Sequence, residues 1–136
     1  MEHKKVGSRG KEIVEQYFAF LDRHLADLLE DRVDDMLTIS QIAQHLFIAP
    51  GHLTNTLTKE TGRHPCYYYD LKIIEIANKL LLNSNLSGSE IARRLTFGPS
   101  NFVKFYKSIT GINPAIFREK KALPPVLPIE QKKYTR

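Results

Sequence analysis

Two short stretches of this 136-residue chain concentrate side chains able to read the edges of nucleic-acid bases. The first holds Gly51, His52, Thr54, Asn55 and Thr58; the second holds Ser100, Asn101, Val103, Lys104 and Lys107. A carboxamide pairs bidentately with adenine, so Asn55 and Asn101 are candidate adenine readers. Lys104 is a candidate guanine reader, and the methyl groups of Thr54 and Thr58 suit thymine methyls. Lys107 and Lys59 are candidate phosphate contacts. So are Thr38, Ser40, Ser87 and Ser89, which fall where helices begin and backbone N–H groups point outward. Other chemistries find no support. His45, His52, His64 and Cys66 lack the spacing of a zinc site, and no Gly-rich phosphate loop or nucleophile elbow occurs. No cofactor, metal or enzymatic constellation is expected.

The elements that would position these side chains follow from an internal repeat at an offset of 49 residues. Thr38 to Leu46 lines up with Ser87 to Leu95, Leu53 with Phe102, and Thr61-Gly62 with Thr110-Gly111. Pro65 pairs with Pro114, and Tyr68 with Phe117. Thr38 with Gln41, and Ser87 with Glu90, form capping boxes, so helices begin near Ile39 and Gly88. Ile42, Ala43 and Leu46 share one helical face, as do Ile91, Ala92 and Leu95. Breaks at 47–49 and 96–98 precede Pro50 and Pro99, which suit a first helical turn. Those second helices end at Gly62 and Gly111, which suit a left-handed cap. Leu53 and Leu57 face the core in one copy, Phe102 and Tyr106 in the other. Short helix, turn, second helix is the helix-turn-helix plan, whose second helix enters the major groove while the first crosses the backbone.

Between the copies, apolar residues from Tyr69 to Leu81 predict a helix of ~18 residues, or ~27 Å. A connector of that length suits two reading heads about one DNA turn apart. Tyr67, Tyr68 and Tyr69 start this helix and are expected to be partly buried. Asn113 is an expected N-cap for a last helix opened by Pro114.

Ahead of the repeat, Ile13, Val14, Tyr17, Phe18, Leu21, Leu25, Leu28 and Leu29 form the stripe of an amphipathic helix from about Lys11 to Asp31. Three roles are open for it: packing on the first unit, homodimerisation through residues 11–36, or standing in for a sensory domain. Residues 1–10 are expected to be a flexible leader, and 122–136 a Pro-rich, basic, irregular tail.

Charge follows the same division. Residues 1–37 carry 6 Lys/Arg against 9 Asp/Glu, and residues 38–121 carry 11 against 5. A basic body suits a polyanion through counterion release. At 42% hydrophobic residues the chain buries a core, and no apolar run approaches the ~20 residues of a membrane span. One cysteine excludes an internal disulfide, which makes a reducing cytoplasm the expected compartment. The expectation is an all-α fold of two helix-turn-helix units joined by a long helix.

From about Leu37 to Arg118 the chain resembles the DNA-binding domain of the AraC/XylS family of transcriptional regulators. The resemblance rests on Ile42-Ala43 to Leu53, Lys59-Glu60-Thr61-Gly62, Ala77 to Leu82, and Ser89-Glu90-Ile91-Ala92. Phe97, Phe102, Lys107, Gly111 and Pro114 to Arg118 extend it. It implies seven helices, two helix-turn-helix units (about 38–62 and 87–111) around a linker helix (about 65–83), and a final helix (about 114–120). It also implies reading of successive major grooves in promoter DNA and control of transcription initiation, often through contact with RNA polymerase. Thr96 stands where the family usually has glycine, which implies a looser second turn; that turn also reads as one residue shorter than the family's. Leu57 replaces a frequent phenylalanine, and Ile73 a frequent arginine. Gly51 and Thr54 stand where relatives often carry bulkier readers, so the second unit is the better-equipped one. A helical module that binds protein only is the competing class.

Overall fold

The computed structural model describes residues 5–30 and 36–121, with side chains from Arg9 onward. Within them lie seven helices: α1 Lys5–Leu29, α2 Ile39–His45, α3 Pro50–Thr61, α4 Pro65–Asn83, α5 Gly88–Arg94, α6 Pro99–Thr110 and α7 Pro114–Lys120. No strand occurs among the described residues. The expected linker at 31–35 and tail at 122–136 lie outside them. Packing divides the chain into two compact units, 1–69 and 70–136, with the boundary inside α4.

In the first unit, Ile13, Tyr17, Leu21, Leu25 and Leu28 of α1 are buried, at spacings of four, four, four and three. Such a stripe lies along one side of a helix. It packs against α3, whose Leu53 and Leu57 are fully buried, as are Ile42 and Ala43 of α2. Each large aliphatic removed from water contributes ~1.5–3 kcal/mol. Of the three roles open for the front helix, packing on the first unit is the one observed. The Tyr17 hydroxyl donates to the Pro65 carbonyl at 2.7 Å, tying α1 to the start of α4. The Tyr69 hydroxyl accepts from the Leu37 amide at 3.0 Å, and the Phe18 and Tyr68 rings meet edge to face at 5.1 Å. The tyrosine run is thus core and half-core: Tyr69 is buried, Tyr67 and Tyr68 partly so.

One expectation fails here. Residues 5–10 are not a flexible leader; α1 starts at Lys5. Glycine usually weakens a helix interior, but Gly10 sits where α1 passes Glu60. A Cβ there would fall 2.5 Å from a Glu60 carboxylate oxygen. Packing, not propensity, sets this boundary.

The caps match their sequence signatures. The Thr38 hydroxyl accepts from Gln41 N at 3.1 Å while Thr38 N donates to Gln41 Oε1 at 2.8 Å. Ser87 and Glu90 repeat this at 3.1 and 2.8 Å. Pro50 and Pro99 start their helices, and Gly62 (φ 87°) and Gly111 (φ 85°) end them in the left-handed region. Asn113 Oδ1 accepts from Ala115 N at 2.8 Å.

The two turns are closed alike. Phe47 N donates to Gln44 O and Ile48 N to Ala43 O, at 3.1 and 3.0 Å. Thr96 N donates to Arg93 O and Phe97 N to Ala92 O, at 2.9 and 2.8 Å. This is the Schellman pattern, which requires a left-handed residue next to the helix end. Phe47 (φ 59°) and Thr96 (φ 64°) supply it. The second turn is therefore no looser than the first: six-to-one hydrogen bonding imposes the geometry even without glycine.

In the second unit, Ile91, Ala92 and Leu95 pack with Phe102, Tyr106 and Ile109 of α6, all buried. Burial also holds the Tyr106 phenol protonated far above the usual tyrosine range. Its hydroxyl donates to Asn78 Oδ1 at 2.5 Å. Arg118 of α7 closes the end of α4: its Nε donates to Leu81 O at 2.8 Å and its Nη2 to Ser84 O at 3.3 Å. Carbonyls at a helix C-terminus lack intrahelical donors, and a guanidinium supplies them.

Candidate nucleic-acid interface

Within each unit the second helix turns an apolar side inward and a polar side out. On α3, Gly51, His52, Asn55, Thr58 and Lys59 are exposed and Thr54 is half-buried. On α6, Ser100, Asn101, Lys104 and Lys107 are exposed and Val103 is half-buried. The 49-residue offset pairs these positions one for one: Gly51 with Ser100, His52 with Asn101, Thr54 with Val103, Asn55 with Lys104, and Thr58 with Lys107. Each set occupies one side of one helix, as the spacing predicts. Asn55, Asn101, Lys104 and Lys107 hydrogen-bond to no other described residue, so their polar groups face only solvent.

Two side chains fit less well. Val103 lines a cavity of about 330 Å³ with Ser87, Phe102, Pro114 and Arg118, which draws it off the polar side. Gly51 offers no side chain to a base. Among the phosphate candidates, the Thr38 and Ser87 hydroxyls are engaged in their capping boxes. Ser40 and Ser89, two positions further along each copy, are exposed and bond to no other described residue.

Arg93 and Arg94, exposed in the last turn of α5, were not among the sequence candidates. Arg93 follows Ser89 by four residues and so shares its side of the helix, a signal that projecting α5 would have revealed. Backbone and hydroxyl hydrogen bonds from Ser87 hold the Glu90 carboxyl below the usual range, with Arg93 and Arg94 adding to the effect. Among described residues the second unit has nine Lys/Arg against four Asp/Glu, while the first has six against six. His52 is exposed, whereas Cys66 is buried, and no group of three or more metal-ligating side chains occurs among the described residues.

Two short helix-turn-helix units, each with a polar second helix, define a protein of the double helix-turn-helix class. Comparison with known proteins agrees. The helix-turn-helix domain family matches residues 42–120, and the chain belongs to this family. It is 28% identical over 90 residues to YfiF, an HTH-type transcriptional regulator of Bacillus subtilis, covering 66% of this chain and 29% of that protein. The chain spans less than a third of the length of the curated relatives it matches. The C-terminal domain of the two-component response regulator yesN from Fusobacterium nucleatum is 26% identical with a TM-score of 0.58, over 71% of this chain and 96% of that one. The DNA-binding domain of AdpA, a global transcriptional factor solved in complex with a target DNA, shares the fold. Its TM-score is 0.60 at 22% identity, over 74% of this chain and 90% of that one.

Proposed function

We propose that this protein binds specific sites in double-stranded DNA through α3 and α6 and thereby regulates transcription. The observation that carries the reading is the matched pair of exposed polar helix sides, whose amide and ammonium groups have no partner within the described chain. In this reading Asn55, Asn101 and Lys104 read bases, and Lys107, Lys59, Ser40 and Ser89 hold phosphates. Thr38 and Ser87 act by fixing helix N-termini rather than through their own hydroxyls. The second unit, with its excess of basic residues, supplies most of the specificity. The family and fold are those of DNA-binding regulators rather than enzymes, and a protein-only interaction module is the less favoured reading.

The proposal extends to RNA polymerase as a partner at a promoter and to the cytoplasm as the place of action. Homodimerisation through residues 11–36 enters with less apolar surface than the sequence suggested, because Ile13, Tyr17, Leu21, Leu25 and Leu28 are already buried in the first unit. Sedimentation of the full chain tests it.

The experiment is selection from a random duplex pool by the full chain, then titration of the selected duplex between about 50 and 200 mM salt. We expect enrichment of a defined motif and affinity that falls steeply with salt. Lys104→Ala should weaken the selected site by ~1–3 kcal/mol. No enrichment over random DNA, or salt-independent binding, would refute the reading.

A further inference from the structure

Ser40 and Gln44 on α2 and Phe47 in the following turn recur at helical spacing. With Ile48, Ala49 and Pro50 they line a shallow groove of about 510 Å³. Phe47 is anomalous there. Its side chain is 95% exposed, and its backbone sits at φ 59°. A bulky side chain disfavours that backbone region, and a free-standing phenyl ring disfavours water. The fold of the first unit needs neither, since the Schellman turn requires only a left-handed residue and glycine supplies that without strain. The ring serves something outside the fold.

The duplicated unit indicates what. At the positions 49 residues on, the same side carries Ser89, Arg93 and Thr96, all exposed. A hydroxyl, a guanidinium and a hydroxyl are groups that grip a phosphate diester. The same groove is lined by Ser40, a phosphate contact in the reading above, and by Pro50, the first residue of the helix that carries Asn55. A DNA strand lying in that groove meets Phe47, and between its phosphates such a strand offers the apolar C–H edge of deoxyribose. That edge matches a phenyl ring as phosphate matches arginine.

We infer that Phe47 is a DNA-backbone contact, its ring packed on a deoxyribose of the strand that crosses the first helix-turn-helix, where the second unit instead holds a phosphate with Arg93. The inference rests on the DNA-binding reading. It adds that the strand crossing the first helix of each unit is held differently, by an apolar, salt-independent contact at Phe47 and by an ionic one at Arg93.

The test uses the full chain and the duplex enriched above, with Phe47→Gly, Phe47→Asn, Phe47→Tyr and Arg93→Ala. Glycine and asparagine both tolerate the left-handed region, so loss of the ring is separated from loss of the fold. Phe47→Gly and Phe47→Asn should weaken binding by about fivefold to tenfold, toward the low end of what aromatic stacking on nucleotides contributes. Their salt dependence should match the parent's, and Phe47→Gly should melt higher than the parent. Phe47→Tyr should bind as the parent does. Arg93→Ala should instead lower the slope of log affinity against log salt by about 1. Unchanged affinity of both ring-less variants, or a slope that falls as it does for Arg93→Ala, would overturn the inference while leaving the DNA reading intact. Self-association of the parent that Phe47→Gly abolishes without loss of DNA affinity would assign the ring to a second copy and overturn the inference. Failure of the parent to enrich any duplex would refute the DNA reading itself, and the inference with it.

Discussion

Gly51 and Gly62 stand at opposite ends of α3, and a Cβ built on either meets no atom within 4 Å. Replacing each by alanine therefore tests the backbone with packing held constant. Gly62 lies at φ 87°, where an L side chain crowds its own carbonyl. Gly62→Ala should cost ~1–2 kcal/mol. Gly51 is in the first turn of a right-handed helix, and glycine there loses more conformational freedom on folding than alanine does. Gly51→Ala should stabilise by ~0.5–1 kcal/mol. The same chemical change thus has opposite signs at the two ends of one helix, with a spread of ~2 kcal/mol. Urea unfolding followed by far-UV circular dichroism resolves such a spread from the midpoints, provided the slopes agree. Two midpoints displaced in the same direction, or a Gly62→Ala midpoint at or above the parent's, would refute the account of α3's end as a strain-relieving cap.

Other outcomes follow from single interactions. Tyr17→Phe removes the buried bond to Pro65 O, a carbonyl that is also placed to accept within α4, so it should cost ~0.5–1.5 kcal/mol by the same urea assay. Arg118→Ala should destabilise by ~1–2 kcal/mol, and Arg118→Lys should not fully restore it, because one ammonium cannot reproduce a planar fork held to the carbonyls of Leu81 and Ser84. His24 is buried in α1 with its ring 5.9 Å from Phe20, and its Nε2 has no hydrogen-bond partner. Burial lowers its pKa below the ordinary 6.5, Asp27 opposes the shift and His45 adds to it. The unfolded chain then takes up the proton before the folded one does. Stability should fall as pH drops below about 6.5, and His24→Phe should flatten that fall in melting temperatures measured between about pH 7.5 and 5.

Most of the fold could be read from local signals. Capping boxes at Thr38 and Ser87, first-turn prolines at 50, 65, 99 and 114, and left-handed glycines at 62 and 111 are short-range devices, and each set a helix boundary. The start of α1 escaped because it depends on distant packing. Gly7 and Gly10 read as leader residues, yet α1 runs through both, with Glu60 of α3 filling the space beside Gly10. Thr96 escaped for a related reason: a residue preference said loose turn, and backbone hydrogen bonding overrode it. The polar sides of α3 and α6 followed from periodicity, but which member withdraws did not. Val103 is turned to a cavity formed in part by α7, and no local pattern carries that. Arg93 and Phe47 escaped because they lie on a first helix and a turn, outside the helix that the motif sends into the groove.

The repeat separates what the fold requires from what the surface does. Positions the two units share are caps, small residues and core: Thr38 and Ser87, Ala43 and Ala92, Leu53 and Phe102. Positions at which they differ lie on the exposed sides: Asn55 against Lys104, Thr58 against Lys107, Gln44 against Arg93, Phe47 against Thr96. In three of these four pairs the second unit carries the cation, and in the fourth the first unit carries a ring. Equal scaffolds with unequal charge predict unequal dependence on salt. Neutralising substitutions in the second unit should lower the salt slope by about 1 for each phosphate left without its cation, whereas substitutions of the first unit's uncharged side chains should change affinity at constant slope. Comparing Lys107→Ala with Thr58→Ala on one duplex decides this; equal slopes for the two would show that the charge difference between the units plays no part in binding.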